Sequence, residues 1–474
     1  MAVETILEIL VLVVGFYMAW NIGANDVSNA MGTSVGSGAL TLAKAVMIAA
    51  VLEFSGAFFV GANVSETMQK GLIDTELFRD TPLILILGMS AALFGTSLWL
   101  QAASYFGWPV STTHAIVGAI LGFGLVVGGA DAIRWGEVIS ILISWVVSPL
   151  VAAVISYIIF YVLQRKILFA MNPTESTIKL FPVLIFIVFG TFTLSLIFNG
   201  LENLNLNLSF PEALGISLLV SSLAALISYF LIRRVSIGDS CPIPKSKHLP
   251  QSVVSLDKAM KHLQRVHLNS FDETHEKLGK LLFEVKAISS NLRAETQFSE
   301  RTSEYKSVEK IFVYLQILSA CFVAFAHGAN DVANAIGPVA AVLNILKTGA
   351  ITATTTIPSW LLVFGGLGIV IGLATWGWRV IETIGKKITE LTPSRGFCAE
   401  FGAATTILIA SKMGMPISTT HCLVGAVLGV GFAGGLRALN LSMIREIALA
   451  WVITIPASAG ISIALFYILR WIFC

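Results

Sequence analysis

Residues 21–32 read NIGANDVSNAMG, and residues 326–337 read AHGANDVANAIG. The two stretches are identical at 8 of 12 positions and begin 305 residues apart. Each places an aspartate, asparagines and glycines inside a long apolar segment. Because glycine is a poor helix former, the pattern predicts a helix interrupted by a polar break, and it predicts that break twice.

A second duplicated block lies further along each copy. Residues 107–122 read GWPVSTTHAIVGAILG and residues 414–429 read GMPISTTHCLVGAVLG, with 11 of 16 positions identical and an offset of 307 residues. Two blocks at nearly the same offset indicate an internal duplication. We therefore divide the chain into a first repeat, 1–165, and a second repeat, 311–474.

The composition identifies the class of protein. Of 474 residues, 56% are hydrophobic and 12% are charged, whereas soluble domains carry about 25% charged residues. Apolar stretches such as 137–163 and 443–469 exceed the roughly 20 residues that span a bilayer. We predict an all-α polytopic membrane protein with inverted-topology repeats, broken helices or re-entrant hairpins, and about 12 membrane segments. The net charge of +2 gives no reason to expect a nucleic-acid partner.

The segment between the repeats falls into two parts. Residues 166–232 hold a connecting membrane helix pair, predicted at 181–198 and 212–232. Residues 233–310 contain 14 of the 30 Lys and Arg residues together with 10 acidic residues. Apolar residues recur there at helical spacing, so we expect a helical insert outside the membrane, either a simple linker or a regulatory hairpin.

Charge gives the orientation. Arg165, Lys166, Arg233 and Arg234 flank the helix pair on one side, and the positive-inside rule then makes the insert cytoplasmic. The loop 63–80 has two basic and four acidic residues, whereas its mate 379–395 has four basic and two acidic residues. Opposite charge in equivalent loops favours halves that insert upside down relative to each other, with both termini outside. The N-terminal segment itself predicts a first spanning helix rather than a signal peptide.

The Pro-x-Ser-Thr-Thr-His blocks predict two capped helix starts. Pro109 and Pro416 disfavour helix at the preceding residue, and Ser111 and Ser418 are then good N-caps. Such a start directs backbone N–H groups and a partial positive charge outward. Four hydroxyls add donors, those of Thr112, Thr113, Thr419 and Thr420. Two such starts facing each other would form an anion site that needs no buried arginine.

The Asn-Asp blocks suit a cation. An aspartate inside a membrane costs roughly 3 kcal/mol unless something compensates for its charge, so Asp26 and Asp331 are functional candidates. Carboxylate and amide oxygens suit a hard monovalent cation, and carbonyls of a broken helix can complete its coordination. The amides concerned are Asn25, Asn29, Asn330 and Asn334.

Two further acids lie in apolar surroundings. Glu53 and Glu400 are not repeat mates, and each is a candidate cation ligand or proton carrier. Beside the polar blocks lie His114, His327 and His421, for which the sequence leaves open whether they orient the chain or touch a ligand.

These paired motifs resemble the signatures of the inorganic phosphate transporter (PiT) family. The resemblance implies secondary uptake of inorganic phosphate, usually with sodium and in some microbial members with protons. It also implies an inverted-repeat fold, a cytoplasmic insert and dimers. The family's essential residues correspond here to Asp26, Asp331, Glu53, Glu400, Ser111 and Ser418. The insert is much shorter than in animal members, and some members carry sulfate.

We therefore predict a multi-pass cell-membrane symporter that imports phosphate with sodium by alternating access, without an enzymatic cofactor and as a homodimer. Carboxylates favour phosphate over sulfate because phosphate near pH 7 retains a proton to donate. The predicted phosphate ligands are Ser111, Thr112, Thr113, Ser418, Thr419, Thr420, Asn25, Asn330, Asp26 and Asp331. The predicted sodium ligands are Asp26, Asn29, Asp331, Asn334, Glu53 and Glu400.

Other readings remain at this point. A proton-coupled phosphate carrier or a sulfate carrier would use the same fold, and a passive anion channel would not need the buried acids. An intramembrane hydrolase is a remote alternative, because residues 32–36, GTSVG, fit G-x-S-x-G.

Overall fold

The chain is helical throughout the described residues, apart from turns and one isolated β-bridge between Ile73 and Ile133. The computed structural model describes residues 3–62, 64–65, 67, 72–200, 208–233, 250–268, 270, 272–299, 303–351, 357–378, 380–381, 392–434 and 441–474. In the first repeat the helices are α1 (Val3–Asn25), α2 (Val27–Gly36), α3 (Leu42–Val60), α4 (Pro82–Phe106), α5 (Thr112–Gly128) and α6 (Trp135–Leu163). The connecting pair and insert hold α7 (Pro173–Gly200), α8 (Phe210–Ile232), α9 (Pro250–Leu268) and α10 (Asp272–Ser299). The second repeat holds α11 (Ser303–Thr348), α12 (Ser359–Gly372), α13 (Pro393–Lys412), α14 (Thr419–Gly434) and α15 (Leu441–Phe473).

The predicted membrane class is confirmed. Among the described residues, nine helical segments are long and apolar enough to cross a membrane, and α5 and α14 are shorter apolar helices. The predicted connecting helices are present as α7 and α8. In each repeat a short non-helical linker precedes the short helix, at 107–111 and at 413–418.

The chain forms two compact units. The first comprises 1–160, 187–221 and 313–474, and so unites most of both repeats. The second comprises 161–186 and 222–312. In the second unit α9 and α10 pack together as the expected hairpin, and Ser289 donates a 3.2 Å hydrogen bond to Asp257.

The repeats interlock in the first unit. Helix α15 of the second repeat packs on α4 and α5 of the first. In the opposite sense, α6 of the first repeat lies against α13 and α14, where Gly402 abuts Ser156 and Gly429 abuts the carbonyl of Ala153. Each repeat thus completes the packing of the other with its last helix.

The glycines of the Asn-Asp blocks serve close packing. A Cβ on Gly328 would collide with the carbonyl of Glu53 on α3, and a Cβ on Gly23 would collide with the carbonyl of Ile369 on α12. Small residues let membrane helices approach to backbone contact.

The predicted break at 326–337 was wrong, because α11 runs through this stretch without interruption. In the first repeat the interruption is a single residue, Asp26, between α1 and α2.

The loop charges that favour inversion lie largely outside the described residues. These include Lys70, Arg379, Lys386 and Lys387. The inverted relation of the repeats and the outside location of the termini therefore stay predictions.

Candidate functional site

The two Ser-Thr-Thr-His segments cap the helices that follow them. The Ser111 hydroxyl accepts a 3.2 Å hydrogen bond from the backbone N–H of His114, and Ser418 does the same for His421. These are the predicted N-caps. The six Ser and Thr side chains are at most 3% exposed, so the helix starts are sheltered from bulk water.

The two helix starts meet. The Thr113 hydroxyl donates to the carbonyl of Ile417, at 3.0 Å, in the linker before α14. Behind them the rings of His114 and His421 lie 4.3 Å apart, edge to face. Trp145 covers one imidazole and Trp451 the other, with ring centroids 3.8 and 3.4 Å apart. These two histidines therefore pack between α6 and α15 rather than among the carboxylates.

The aspartates of both repeats lie together beside α14. Ligand atoms of Asp26, Asp331 and His327 all fall within 4.8 Å of one another, and all three side chains are buried. The Thr419 hydroxyl donates to Asp331 Oδ2 at 2.8 Å, and Thr420 donates to Asp26 Oδ1 at 3.5 Å. Each aspartate thus meets a threonine of the second helix start.

His327 connects Glu53 to this cluster. Its Nδ1 lies 2.6 Å from Glu53 Oε2, and its Nε2 lies 2.7 Å from Asp331 Oδ2. A protonated imidazole in this position would lie beside both carboxylates and offset part of their buried charge. The sequence left His327 undecided, and the structure gives it contacts with two predicted site residues.

The asparagine amides are anchored through their nitrogens. Asn25 Nδ2 donates to Ser104 Oγ at 2.9 Å, and Asn330 Nδ2 donates to Ser411 Oγ at 3.1 Å. Asn334 Nδ2 donates to the hydroxyls of Thr112 and Thr113, at 3.3 and 3.2 Å. The side chain of Asn29 lies outside the described residues.

Glu400 occupies a separate polar pocket between α2, α11 and α13. Thr33 and Ser34 both donate to its Oε1, Ser34 at 2.7 Å, and Gln316 Nε2 lies 3.3 Å from the same atom. Ser319 donates to Oε2. The sequence singled out Glu400 but did not identify these donors as its partners. The only signal they give in the sequence is that each is a polar residue within an apolar segment.

The G-x-S-x-G match has a different use. Ser34 lies in α2, not in a strand-to-helix turn, and its hydroxyl is bound to Glu400. The geometry of a nucleophile elbow is therefore absent from this described segment.

Three acceptor oxygens point to a cation. The Oδ1 atoms of Asn330, Asp331 and Asn334 are buried and have no hydrogen-bond partner among the described residues. An unpaired buried acceptor costs about 1–3 kcal/mol. Carboxylate and amide oxygens are hard ligands, so each of these atoms suits a sodium ion better than a transition metal.

Similar proteins share a transport assignment. The family model described as "Phosphate transporter family" matches residues 22–462. Inorganic phosphate transporter 2-1, chloroplastic, from Arabidopsis thaliana is 45% identical over 470 residues, which cover 99% of this chain and 72% of that protein. A solved structure entitled "The sodium-dependent phosphate transporter" has a TM-score of 0.77 and 36% identity, and the match covers 98% of this chain and 99% of that one.

Proposed function

We propose, given that this chain belongs to the phosphate transporter family, that it imports inorganic phosphate together with sodium by alternating access. Proteins of this family are membrane transporters and not enzymes. The observation that carries the sodium assignment is that buried oxygens of Asn330, Asp331 and Asn334 on α11 have no hydrogen-bond partner in the described part of the chain. The solved relative, whose title names sodium dependence, supports the same coupling.

Phosphate, in our proposal, binds at the two helix starts. Ser111 and Ser418 each accept a backbone N–H through oxygen, which leaves the hydroxyl hydrogen for an anion. Thr113 and Thr419 give their hydroxyl hydrogens to Ile417 and Asp331, so their contribution to the anion is the backbone N–H. Helix N-termini with free N–H groups favour anions without buried arginine.

Asp26 and Asp331 are proposed as the point where both ligands meet. A carboxylate accepts the proton that phosphate retains near pH 7, whereas sulfate has none to give. Sodium beside the aspartates reduces their repulsion of the anion. This reciprocal stabilisation gives a thermodynamic reason for the two ions to move together.

Glu400 is proposed as a second sodium position. Its pocket combines a buried carboxylate with the hydroxyls of Thr33, Ser34 and Ser319 and the carboxamide of Gln316. All of these groups have oxygens that can ligate a hard cation. The pocket lies on helices from both repeats, so occupancy there would also stabilise their packing.

Proton coupling is the second candidate. The contact chain Glu53–His327–Asp331 favours it, because histidine flanked by carboxylates can take up and pass on a proton. Sulfate transport remains an alternative that the site chemistry disfavours.

Uptake into proteoliposomes separates these mechanisms. We expect labelled phosphate to accumulate against its gradient when sodium is imposed outside, and unlabelled sulfate to compete poorly. Accumulation driven only by a pH gradient would replace sodium coupling with proton coupling. Equal competition by sulfate would overturn the selectivity argument.

The location in the cell membrane, the cytoplasmic insert and the homodimer are also proposals. They rest on the charge pattern and on the family resemblance. The Arabidopsis relative is named as chloroplastic.

A further inference from the structure

We propose that Ser104 and Ser411 are positioning residues, which hold Asn25 and Asn330 so that each amide presents its oxygen to the cation. The inference rests on the proposed sodium coupling. Neither serine belongs to a duplicated motif, yet the two are equivalent, 307 residues apart, and are at most 1% exposed.

Both asparagines make the same pair of contacts. Asn25 Nδ2 donates to Ser104 Oγ at 2.9 Å and to the carbonyl of Trp108 at 3.2 Å. Asn330 Nδ2 donates to Ser411 Oγ at 3.1 Å and to the carbonyl of Met415 at 3.3 Å. An amide nitrogen has two hydrogens, so both are used at each site.

The carbonyl partner decides which way the amide faces. A carbonyl oxygen only accepts, so a flipped amide would bring two acceptors together. Ser411 adds to this polarity, because its hydroxyl donates to the carbonyl of Ile407 at 2.9 Å and its oxygen is left to accept. The asparagine oxygen must therefore face away from the helix end that holds the nitrogen.

The helix ends are built alike. Gly107 and Gly414 have φ of 68° and 65°, a left-handed conformation that favours glycine. The turn brings the next residue back, so that Trp108 N–H bonds to Ala103 at 2.8 Å. The matching bond runs from Met415 N–H to Ala410 at 2.9 Å. We call the serine hydroxyl and the backbone carbonyl that hold each asparagine nitrogen its brace. The brace uses only the backbone carbonyls of Trp108 and Met415, so different side chains are compatible with these equivalent positions.

This geometry favours one of two roles that the sequence predicts for the asparagines. The sequence offers Asn25 and Asn330 both as cation ligands, through their oxygens, and as phosphate ligands, which would need their N–H groups. With both hydrogens held by the brace, the amide offers an acceptor, and an acceptor attracts sodium and repels an anion's oxygens. The braces would thus contribute to the preference for a cation at this position.

Ser411→Ala tests the brace in the full-length protein, with Ser97→Ala as the matched control. Ser97 is an equally buried serine whose hydroxyl bonds only to Leu93, one turn earlier on α4. We expect Ser411→Ala to raise the sodium concentration for half-maximal thermal stabilisation, without phosphate, by roughly three- to tenfold. The phosphate concentration for half-saturation at excess sodium should stay at the wild-type level in Ser411→Ala. In Ser97→Ala, both the sodium and the phosphate half-saturation concentrations should stay at wild-type levels.

A double substitution separates positioning from general stability. In an Asn330→Ala background, Ser411→Ala should add no further loss of sodium response. Ser411→Thr retains the hydroxyl and should show the wild-type sodium response. If Ser411→Ala fails to fold, Ser104→Ala provides the same test at the equivalent serine. An unchanged sodium response in both alanine variants, or an additive double-variant effect, would overturn the brace. A wild-type protein that ignores sodium would instead overturn the proposed coupling itself.

Discussion

Asp331 shows how a buried carboxylate is supported by two helices of the second repeat. His327, one turn earlier on α11, lies 2.7 Å from Asp331 Oδ2, and Thr419 of α14 donates to the same oxygen. The other oxygen, Oδ1, has no hydrogen-bond partner among the described residues. One oxygen is therefore fixed by the protein while the other remains available for a ligand.

Asp26→Asn should abolish phosphate uptake while the protein stays folded. Asparagine keeps the shape of the side chain but removes the charge that attracts sodium and replaces one of the two acceptor oxygens with an NH2 donor. Phosphate uptake into proteoliposomes measures transport, and the size-exclusion elution profile in detergent shows whether the protein is folded. Asp131→Asn, a change at an exposed acid, should transport normally. Wild-type uptake by Asp26→Asn would mean that the site is misplaced.

Glu400→Gln should weaken the sodium response with the pocket still formed. Glutamine fills the same space and keeps one oxygen that can accept from Thr33 and Ser34, but it lacks the charge that attracts sodium. We expect a higher sodium half-saturation for uptake and little change in phosphate half-saturation at excess sodium. An unaltered sodium dependence would exclude Glu400 as a sodium ligand.

The sequence singled out the buried acids but not the groups that contact Glu400. Asp26, Asp331, Glu53 and Glu400 stand out because acids in apolar segments are rare. The donors around Glu400 lie as far as 367 residues away in the chain, as for Thr33. No local pattern encodes such a contact, so the pocket emerged only from the packing of helices.

Among the helices, the prediction succeeded at proline and failed at glycine. Pro109 and Pro416 lie in the non-helical linkers, and Ser111 and Ser418 cap the helices that follow, as local chemistry requires. Gly328 was read as a break but lies inside α11. Glycine allows either a break or a close approach, and only the neighbouring helix decides between them.

Gly328→Ala should therefore destabilise the protein through packing. The added Cβ would fall on the carbonyl of Glu53, and overpacking of this kind typically costs about 1–3 kcal/mol. Thermal unfolding in detergent should show a lower midpoint. Gly215→Ala is the matched control, because no neighbouring atom lies within 4 Å of a Cβ there. Equal midpoints for the two variants would contradict the close contact between α3 and α11.

The exchange of last helices is one of the contacts that join the two repeats. Helix α15 packs on α4 and α5, and α6 lies against α13 and α14. The duplication was visible in the sequence, because the two blocks recur at nearly one offset. The exchange of last helices was not visible in the sequence. Equivalent helices of the two repeats have similar sequences, so a last helix could satisfy its apolar pattern against its own repeat or against the other.

Separately expressed repeats should work only together. A cut in the insert between α8 and α9 leaves every helix intact and keeps both repeats complete. Co-expressed fragments should assemble and restore phosphate uptake, whereas either fragment alone should show none, because its site and its last helix lack their partners. Uptake by a single fragment would show that one repeat contains a full site.

The exchanged helices also constrain how the protein is made. Helix α6 ends at Leu163, but its partner α13 begins only at Pro393. At roughly 5–20 residues per second of synthesis, α6 must wait on the order of 10–50 s in the bilayer before that partner emerges. During this interval its serine- and alanine-bearing face is available to chaperones or to wrong helices. A ribosome-stalled chain ending before Pro393 should therefore be cleaved by protease within its first repeat, and equal resistance of stalled and complete chains would contradict this order of assembly.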